Sequence, residues 1–443
     1  MVHDAVHALH WLRYATACRC SPEGESFSGA WQPPGPDEEI WMLKADVTKA
    51  HRRIKVQRQD WKYQVAVLAG RYWINKVGTY GMSSAQLYWG RMAALVLRIL
   101  YAIFPIEWGF VYVDDFAFLI RGSVVQPLAA SILVFLLAIG MPLSWKKTAL
   151  SVANIWLGFQ LDTHSISLLM ARAKHLAVDQ ILQELEAGNS MTQDEIATAL
   201  GKCQWATAIC PTMKAFLQPF WAWKSAVKTA GRPPRIVRML AGCLRCFLDN
   251  KWPTPPPWAD MSKWHGAADA GAKGPGGCVS VGGWFSDHPH PSKEEVYWFS
   301  WTLTEDTHPW AFVDGGSNKI IMALELYATL VMLYYMLPKA SMDGGANIFI
   351  PYCTDNEGSA YCVLNDKTRK WPASAVIMEI LLQAQQHAVQ LAPAHVKREF
   401  NQWADDLVNG KTNSFAQSRR VRPDLEAPKW HIFEVLLAMH QPT

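Results

Sequence analysis

Two adjacent aspartates, Asp114 and Asp115, interrupt an aromatic and aliphatic run between Phe110 and Ile120. Because β-branched and aromatic residues favour strands and an Asp-Asp pair favours a turn, this run is predicted to be a β-hairpin with two carboxylates at its tip. Two like charges beside apolar residues repel each other and lose hydration unless a cation lies between them, and a hard divalent ion such as Mg²⁺ is the natural compensation. A surface hairpin with a polar tip is the alternative explanation of the same residues.

Another acidic position precedes this hairpin. Asp46 ends an apolar run that begins at Ile40, and a polar, basic segment follows it. An aspartate at the end of a strand usually caps a helix or starts a turn, and it becomes a metal ligand only if a second carboxylate faces it. A turn of small residues at 80–86 would let a substrate approach the backbone closely, and the apolar spacing after it predicts a helix over 87–104.

Four acidic residues are spread through the C-terminal half of the chain. Asp355 ends an apolar run, Glu325 lies on a helix predicted over 319–336, and Asp269 and Asp405 lie in short flanking segments. Strands that run into helices, with acids at the strand ends, are typical of an α/β layer with one acidic cleft. Taken singly, each acid is explained equally well as a helix cap or a solvated charge.

Helical patterns and proline-rich stretches divide the chain. Thr192–Glu195 has the pattern of a capping box at the start of a helix. Further helices are predicted over 5–14, 212–227, a stretch around Ser359, 373–391 and 433–439. The stretches 232–235 and 253–257 are predicted linkers, and the second is the better domain boundary.

Length and composition limit the class of protein. The 443 residues are half hydrophobic, so the chain is long enough for two or three domains with cores of their own. Nine cysteines without framework spacing, and no signal peptide, predict reduced thiols in an intracellular protein, nuclear or cytoplasmic. The apolar segment 127–143 is at the short limit for a membrane span and is bracketed by prolines, so it is predicted to be a buried core helix.

The net charge of +4 permits a nucleic-acid partner. Basic residues crowd one short segment, comprising Lys49, Arg52, Arg53, Lys55 and Arg58. A solvated helix face explains such a cluster equally well.

Five short motifs, in this order, resemble the palm of reverse transcriptases and are closest to those of long-terminal-repeat and tyrosine-recombinase retrotransposons. They are Asp46-Val-Thr-Lys-Ala-His51, Tyr80-Gly-Met-Ser-Ser-Ala85, Tyr112-Val-Asp-Asp115, Gly140 with Lys146-Lys147, and Trp156-Leu-Gly158-Phe. The C-terminal segments Thr354-Asp355-Asn356 and Asn401-x-x-Ala404-Asp405-x-Leu407 resemble those of retroelement ribonuclease H domains.

The resemblance to the palm implies catalytic roles. Asp46 and Asp114 would hold two Mg²⁺ ions with the support of Asp115, one ion activating the primer 3′-hydroxyl and the other clamping the triphosphate. The substrate-binding residues implied are His51, Gly81, Ala85, Gln86, Tyr112, Lys146, Lys147 and Gly158. Among these, Gly81 and Ala85 would lie near the template and incoming nucleotide, one of the two lysines near the pyrophosphate, and Gly158 in the strand that grips the primer. This sequence departs from the family at His51, where Tyr or Phe excludes a ribose 2′-hydroxyl, and at Gln86, which replaces a common Pro.

The resemblance to ribonuclease H implies a second two-metal site. Its ligands would be Asp269, Glu325, Asp355 and Asp405, and the two Mg²⁺ ions, or Mn²⁺ in their place, would activate water to cut the RNA strand of an RNA:DNA hybrid. Asp406 is an alternative to Asp405. His395 is either an aid to product release or a strand histidine without a role.

The predicted architecture is therefore a multidomain α+β and α/β protein, with a reverse-transcriptase palm, a helical thumb and a ribonuclease H-like α/β domain. The predicted parts are an irregular N-terminal segment at 1–40, the palm at 41–165, the thumb and connection at 166–256, the ribonuclease H-like domain at 257–412 and a tail at 413–443. Only 45 residues precede Asp46, which predicts truncated fingers.

The predicted function is that of a retroelement RNA-directed DNA polymerase with ribonuclease H activity, an endonuclease acting on the hybrid. Its partners would be an RNA template, a DNA primer, the RNA:DNA hybrid and deoxynucleoside triphosphates, without a membrane. The alternative is a catalytically defective or domesticated reverse-transcriptase-like protein that binds nucleic acid.

Overall fold

A computed structural model describes residues 1–14, 38–79, 82–209, 211–249, 261–272, 278–313, 316–343, 348–387 and 389–439. The fold is mixed α+β, and the chain divides into two compact units, residues 1–175 and the residues from 176 onward. This division is coarser than the five predicted parts, whose boundaries stay predictions. The predicted linker at 253–257, most of the predicted irregular segment and Gly81 lie outside the described residues.

The first unit begins with a short helix and continues with strands that flank two longer helices. Its helices and strands are α1 (Val2–Tyr14), β1 (Ile40–Asp46), β2 (Val65–Leu68), β3 (Arg71–Ile74), α2 (Ser83–Ile103), β4 (Trp108–Tyr112), β5 (Asp115–Arg121), α3 (Val125–Ala138), β6 (Ala149–Ser151), β7 (Ala153–Trp156), β8 (Phe159–Asp162) and β9 (Ser167–Met170). The division between the units falls within the next helix, α4 (Arg172–Ala187).

A four-stranded sheet in the order β4-β5-β1-β6 organises the first unit. Strands β4, β5 and β1 pair in antiparallel fashion, and the register places Asp46 directly opposite Asp115. Helices α2 and α3 pack on one face of this sheet, and the buried side chains there include Trp89, Leu100 and Ile132. Burial of these large apolar groups fixes the sheet, and with it the positions of the acids at the strand ends.

The second unit alternates helices with short strands and then builds a larger sheet. Its remaining elements are β10 (Met191–Thr192), α5 (Gln193–Ala206), α6 (Met213–Phe216), α7 (Gln218–Ala226), β11 (Ala230–Gly231), α8 (Arg235–Asp249), β12 (His265–Ala272), β13 (Val279–Ser286), β14 (Tyr297–Leu303), α9 (Ile321–Asp343), β15 (Phe349–Thr354), α10 (Glu357–Leu364), α11 (Ala373–Gln386), β16 (Gln390–His395), α12 (Gln402–Val408) and α13 (Phe433–Met439).

The larger sheet has five strands in the order β14-β13-β12-β15-β16. Strands β12, β15 and β16 are parallel, whereas β13 pairs antiparallel to β12 and β14. Helix α9 packs against β12 and β13 and is buried along most of its length. The central strand β12 is buried along most of its length, as expected of a strand that helices cover.

Close contact between α12 and the sheet depends on glycine. A Cβ atom at Gly282 of β13 would lie 2.8 Å from the backbone nitrogen of Val408 in α12. Real Cβ atoms do not approach a backbone so closely, so a larger residue at 282 would push α12 away. This contact brings Asn401, immediately before α12, to the central strand β12, where its amide lies 3.4 Å from the Ala268 carbonyl.

The structure corrects two predicted helices. The helix predicted over 212–227 is two helices, α6 and α7, and Pro219 near the start of α7 accounts for the break because it has no N–H to donate to the preceding turn. The helix predicted over 373–391 ends at Gln386. The chain then pairs as strand β16 with β15, because the backbone hydrogen bonds of a parallel sheet outweigh helix propensity.

The predicted membrane-like segment is also corrected. Residues 127–143 contain α3, which ends at Ala138 and is only half-buried, with Val134 64% exposed. One stretch of the described residues, Ser317–Ser341, is long and apolar enough to cross a membrane. Of its most apolar window, 72% is buried inside the protein, and a core helix of a globular domain has the same length and composition.

Two candidate carboxylate metal sites

The first acidic group comprises Asp46, Asp114 and Asp115. One carboxylate oxygen from each of the three lies within 4.8 Å of the others. Asp46 ends β1, Asp115 begins β5, and Asp114 occupies the turn that joins β4 to β5. The hairpin predicted around Phe110–Ile120 therefore forms, and the antiparallel register carries Asp46 to its tip.

The turn at this tip has a strained backbone. Val113 has a φ of +55°, in the left-handed region that a β-branched residue rarely adopts. Its carbonyl accepts a hydrogen bond from Trp89 Nε1 at 2.6 Å, and the Asp114 carbonyl accepts one from Val47 N at 2.9 Å. Strain of this kind, of order 1–3 kcal/mol, persists where neighbouring structure imposes it, so α2 and Val47, the residue after β1, together hold the turn in place.

The protein itself neutralises this group only in part. Asp46 is 4% exposed, and its Oδ2 atom accepts a hydrogen bond from Lys147 Nζ at 2.9 Å. That bond raises the pKa of Lys147. Burial, together with the nearby charges of Asp46 and Asp114, raises the pKa of Asp115 to about 6. Burial is the larger cause, and the two neighbouring carboxylates add to it, while the nearby Lys44 offsets only part of the effect.

The other residues predicted for the first site differ in their exposure and in the elements that carry them. Tyr112 is half exposed and pairs with Asp115 across the hairpin, whereas Ala85 is buried in the first turn of α2. Gln86 and Lys146 are exposed, and His51 lies in a 3₁₀ turn, Ala50–Arg53. Of the two lysines left open by the sequence, Lys147 is the one that contacts the acidic group.

Gly158 was predicted to lie in a strand, but the structure places it in a turn. It occupies the two-residue turn between β7 and β8, with a φ of +85°, and its neighbour Leu157 has a φ of +54°. Two successive residues with positive φ define the type I′ turn that suits a two-residue hairpin, so glycine is required here for the turn.

The second acidic group comprises Asp269 on β12, Glu325 on α9 and Asp355, directly after β15. One oxygen from each carboxylate lies within 4.8 Å of the others. Because β12 and β15 are neighbouring parallel strands, Asp269 and Asp355 meet at one region of the sheet, and α9 packs across it to add Glu325.

This group is more buried than the first. Asp269 and Glu325 are each 5% exposed. Burial and the charges of neighbouring acids raise the pKa of both, with Asp355 acting on Asp269 and both aspartates acting on Glu325. Asp269 Oδ1 accepts a hydrogen bond from the Ala270 backbone N–H at 2.8 Å. Glu325 Oε2 is buried and has no hydrogen-bond partner among the described residues.

Asp405 lies beside this group but outside it. Its Oδ1 atom is 2.5 Å from Arg398 Nη2, and its Oδ2 atom accepts a hydrogen bond from Asn409 Nδ2 at 3.1 Å. Its charge still contributes to the raised pKa of Asp269, so it is close to the site. Because Arg398 and Asn409 engage both oxygens in this structure, the role of Asp405 as a metal ligand stays a prediction.

Asp406 and His395, the two residues left open by the sequence, have other contacts. Asp406 pairs with Lys293 Nζ at 3.1 Å and Lys411 Nζ at 3.4 Å, so it points into a basic surrounding and is a poor substitute for Asp405. His395 Nε2 lies 3.2 Å from the backbone carbonyl of Asp355.

Sequence reasoning did not assign roles to Asn401 and Arg398. Asn401 is 1% exposed, and its Nδ2 lies 3.4 Å from both Asp355 Oδ1 and the Ala268 carbonyl, so it ties Asp355 to β12. Arg398 pairs with Asp405. Both residues lie close to Asp405 in the sequence, and this was the one indication of a role that the sequence offered. The packing of α12 then shows which acid each of them contacts.

Both groups fit a divalent cation. Three carboxylate oxygens within 4.8 Å are the ligands that Mg²⁺ and Mn²⁺ prefer, and their mutual repulsion favours a bound positive ion. In the second group the buried Glu325 Oε2 has no hydrogen-bond partner within the described part of the chain, which is costly for a polar atom unless an ion or a water satisfies it. Among the described residues, those that could together hold an ion are Asp46, Asp114 and Asp115 in one unit and Asp269, Glu325 and Asp355 in the other.

No protein-family model matches the chain, and no curated protein sequence matches it. Among solved structures, it is similar to a foamy viral protease-reverse transcriptase in complex with double-stranded DNA, at 12% identity and a TM-score of 0.43, over 81% of this chain and 57% of that one. The same viral protein in complex with an RNA/DNA hybrid matches at 12% identity and a TM-score of 0.43, over 80% of this chain and 44% of that one. The chain thus spans about half the length of these two structures.

A third similar structure is LC11-RNase H1 in complex with an RNA/DNA hybrid. It matches at 20% identity and a TM-score of 0.25, over 33% of this chain and 94% of that one.

Proposed function

We propose that this chain is a reverse transcriptase with ribonuclease H activity, of retrotransposon type, and that it carries out metal-dependent phosphoryl transfer at two separate sites. The observation that carries the proposal is the pair of three-carboxylate groups, one in each compact unit. Each group assembles acids that are distant in the sequence, and each coincides with a motif that resembles one of the two enzymes. The proposed layout is a palm at 41–165, a thumb and connection at 166–256 and a ribonuclease H-like domain at 257–412.

In the polymerase site, Asp46 and Asp114 would hold the metal ions and Asp115 would support them. Bound divalent ions supply activation of the primer hydroxyl and neutralisation of the triphosphate. The strained turn at Val113 keeps Asp114 fixed relative to Asp46, which supports precise positioning of reacting groups. Lys147 is 60% exposed at its side chain, so it can leave Asp46 and place its ammonium group on the leaving pyrophosphate.

In the nuclease site, Asp269, Glu325 and Asp355 would hold the metal ions, with Asp405 as a further ligand once Arg398 releases it. Bound ions supply activated water for attack on the RNA strand. Asn401 positions Asp355 through its amide, and Gly282 lets α12 come close enough to do so.

An exposed basic surface in the first unit supports a nucleic-acid partner. Between residues 49 and 76 the chain has eight lysines and arginines but only one acidic residue, Asp60. All eight basic side chains are exposed: Lys49, Arg52, Arg53, Lys55, Arg58, Lys62, Arg71 and Lys76. The β2–β3 hairpin within this segment exposes Tyr72 (79%) and Trp73 (57%), and the 3₁₀ turn Arg58–Gln64 before it exposes Tyr63 (76%). Basic side chains interleaved with exposed aromatic rings suit a single strand, since phosphates pair with the cations and bases stack on the rings.

Primer extension on an RNA template tests the polymerase site. The wild-type chain is expected to extend a DNA primer in Mg²⁺, and Asp114→Asn is expected to abolish extension while leaving hybrid cleavage intact. Asp162→Asn, at the end of β8, is the matched control. Absence of extension that depends on Asp114 would remove the polymerase half of the proposal and leave a protein that binds nucleic acid without copying it.

Hydrolysis of an RNA:DNA hybrid tests the nuclease site independently. The wild-type chain is expected to cut the RNA strand, and Asp355→Asn is expected to abolish cutting while leaving primer extension intact. Asp366→Asn, just after α10, is the control for the loss of a nearby carboxylate. Cleavage that survives Asp355→Asn would contradict the assignment of this group.

A further inference from the structure

Beside the second acidic group, the guanidinium of Arg398 pairs with the carboxylate of Asp405. Arg398 begins a 3₁₀ turn, Arg398–Phe400, between β16 and α12, and its side chain is 76% exposed. Asp405 lies in the first turn of α12, and its side chain is 14% exposed. The pair thus joins a long side chain in solvent to a carboxylate that a helix holds in one place.

The two carboxylate oxygens of Asp405 have partners of different charge. Asn409 Nδ2 donates to Oδ2 at 3.1 Å and to the Asp405 backbone carbonyl at 2.8 Å. An uncharged donor of this kind orients a carboxylate that binds a metal ion and does not compete with the ion. Oδ1 lies 2.5 Å from Arg398 Nη2, so a positive charge already occupies this oxygen. A metal ion that takes Oδ1 as a ligand must therefore displace Arg398.

The charge of Arg398 also acts on the neighbouring acids. The pairing with Asp405 raises the pKa of Arg398, and the charges of Asp269 and Asp355 raise it further. Among the ion pairs of the described residues, this pair is the one that connects a basic side chain to an acid proposed for the nuclease site. In the metal-free protein, Arg398 thus supplies part of the positive charge that a divalent ion would supply.

From these contacts we infer, on the basis of the proposed nuclease function, that Arg398 is the counter-ion of Asp405 in the metal-free protein and opposes the binding of the second of two divalent ions. The first ion binds to Asp269, Glu325 and Asp355, whose oxygens lie within 4.8 Å of one another, and it leaves the pair intact. The second ion needs Asp405 and competes with Arg398 for Oδ1. Arg398 acts through Asp405 as a positioning residue, and it sets the metal concentration at which the site is filled.

Titration of the full-length protein with Mn²⁺, followed by the electron paramagnetic resonance signal of free Mn²⁺, measures each bound ion without reference to catalysis. The variants are made in a chain that carries Asp46→Asn and Asp114→Asn, which removes metal binding by the first acidic group. We expect one tight and one weak ion in this chain, both lost on Asp355→Asn. Arg398→Gln is expected to tighten the weak ion about fivefold and to leave the tight ion unchanged, because the second ion then binds without displacing a cation.

Three further variants separate the ion pair from a general effect of charge. Lys397→Gln is the matched control, because it removes one positive charge from the neighbouring exposed residue, which forms no ion pair with another described residue. It is expected to leave the affinity of the weak ion near that of the parent chain, since solvent and salt screen an exposed charge. Asp405→Asn is expected to abolish the weak ion, and Arg398→Gln should not restore it. Arg398→Lys keeps the charge and is expected to restore most of the opposition to the second ion.

The outcomes distinguish this inference from the proposed function. An unchanged affinity of the weak ion in Arg398→Gln would overturn the inference, and so would equal tightening by Lys397→Gln. Either result leaves the proposed nuclease standing as long as hybrid cleavage and the tight ion depend on Asp355. If no bound ion depends on Asp355, the proposed nuclease site falls and the inference falls with it. A gain in affinity that requires both Asp405 and the loss of Arg398 supports the inference.

Discussion

Glu325 and Glu379 are both buried glutamates on helices of the second unit, and their surroundings differ. Glu379 accepts several backbone N–H donors and the amide of Gln383, whereas Glu325 Oε2 has no hydrogen-bond partner among the described residues and faces two aspartates. A carboxylate held by donors stabilises the fold, and a carboxylate held against other acids destabilises it unless a cation binds. The first arrangement serves structure, and the second serves the binding of a metal ion.

Glutamine substitutions at these two positions should therefore have opposite effects. In metal-free protein, Glu325→Gln is expected to raise the free energy of unfolding by about 1–3 kcal/mol, because the raised pKa of Glu325 makes the carboxyl take up a proton on folding, a cost that the neutral amide does not carry. Glu379→Gln is expected to lower it, because an amide nitrogen then faces N–H donors. Mg²⁺ should stabilise the wild type more than Glu325→Gln. Chemical denaturation with and without Mg²⁺ measures both effects, and destabilisation by Glu325→Gln in the absence of metal would contradict this view of the site.

His308 adds a pH dependence to stability. Burial lowers the pKa of His308 from 6.5 to about 4, so between these values the unfolded chain takes up a proton that the folded chain does not. Stability that is present above pH 6.5 is lost as the pH falls toward 4. From pH 7 to pH 5 we expect a loss of about 1–2 kcal/mol from this residue.

Denaturation at the two pH values tests this expectation. His308→Gln removes the titrating group, so its loss of stability on acidification should be smaller than that of the wild type. His164→Gln, at an exposed turn, should behave as the wild type. An identical pH dependence in His308→Gln would show that His308 does not titrate as its burial implies.

Among the elements, the β2–β3 hairpin is the least supported by packing. All eight of its strand residues are exposed, including Val67, Leu68, Tyr72 and Trp73. A two-stranded hairpin is marginally stable alone, and its neighbours here are the flanking basic 3₁₀ turns. An element of this kind gains order when it binds a partner, and its charge and rings favour a nucleic-acid strand.

Removal of one ring from this hairpin should weaken nucleic-acid binding without unfolding the protein. Tyr72→Ala or Trp73→Ala is expected to reduce the affinity for a single-stranded RNA oligonucleotide about fivefold or more, as stacking of a base is worth about 1–3 kcal/mol. Fluorescence anisotropy measures this at fixed salt. Tyr88→Ala, an exposed tyrosine on α2, is the control, and an equal loss in that variant would argue against a specific role of the hairpin.

On the scale of the whole molecule, the two compact units hold one acidic group each. Units with separate cores unfold separately when the contacts between them are few, and a ligand stabilises the unit that binds it. The two chemical activities proposed here then depend on different parts of the chain.

Calorimetry should show this division. We expect two unfolding transitions, both raised by Mg²⁺. Asp46→Asn should remove the effect of Mg²⁺ on one transition only, and Asp269→Asn should remove it on the other. A single transition, or a loss of both effects with either variant, would show that the acidic groups do not act in independent units.

Much of the local structure follows from the sequence. The capping box at Thr192 forms, with the Thr192 side chain and the Glu195 carboxylate each accepting the backbone N–H of the other residue, because the pattern depends only on residues three apart. The hairpin at Asp114-Asp115 and the strand ending at Asp46 form for the same local reasons. Where residues close in the sequence determine the local structure, residue types and their spacing are enough to predict it.

Tertiary structure decided the rest. The strand register brings Asp46 against Asp115, the packing of α9 brings Glu325 to Asp269 and Asp355, and parallel pairing places 390 and 391, the end of the predicted helix, in a strand. It also directs Asp405 toward Arg398. These features depend on contacts between residues far apart in the chain, and their energies come from burial and electrostatics in three dimensions that no local pattern contains.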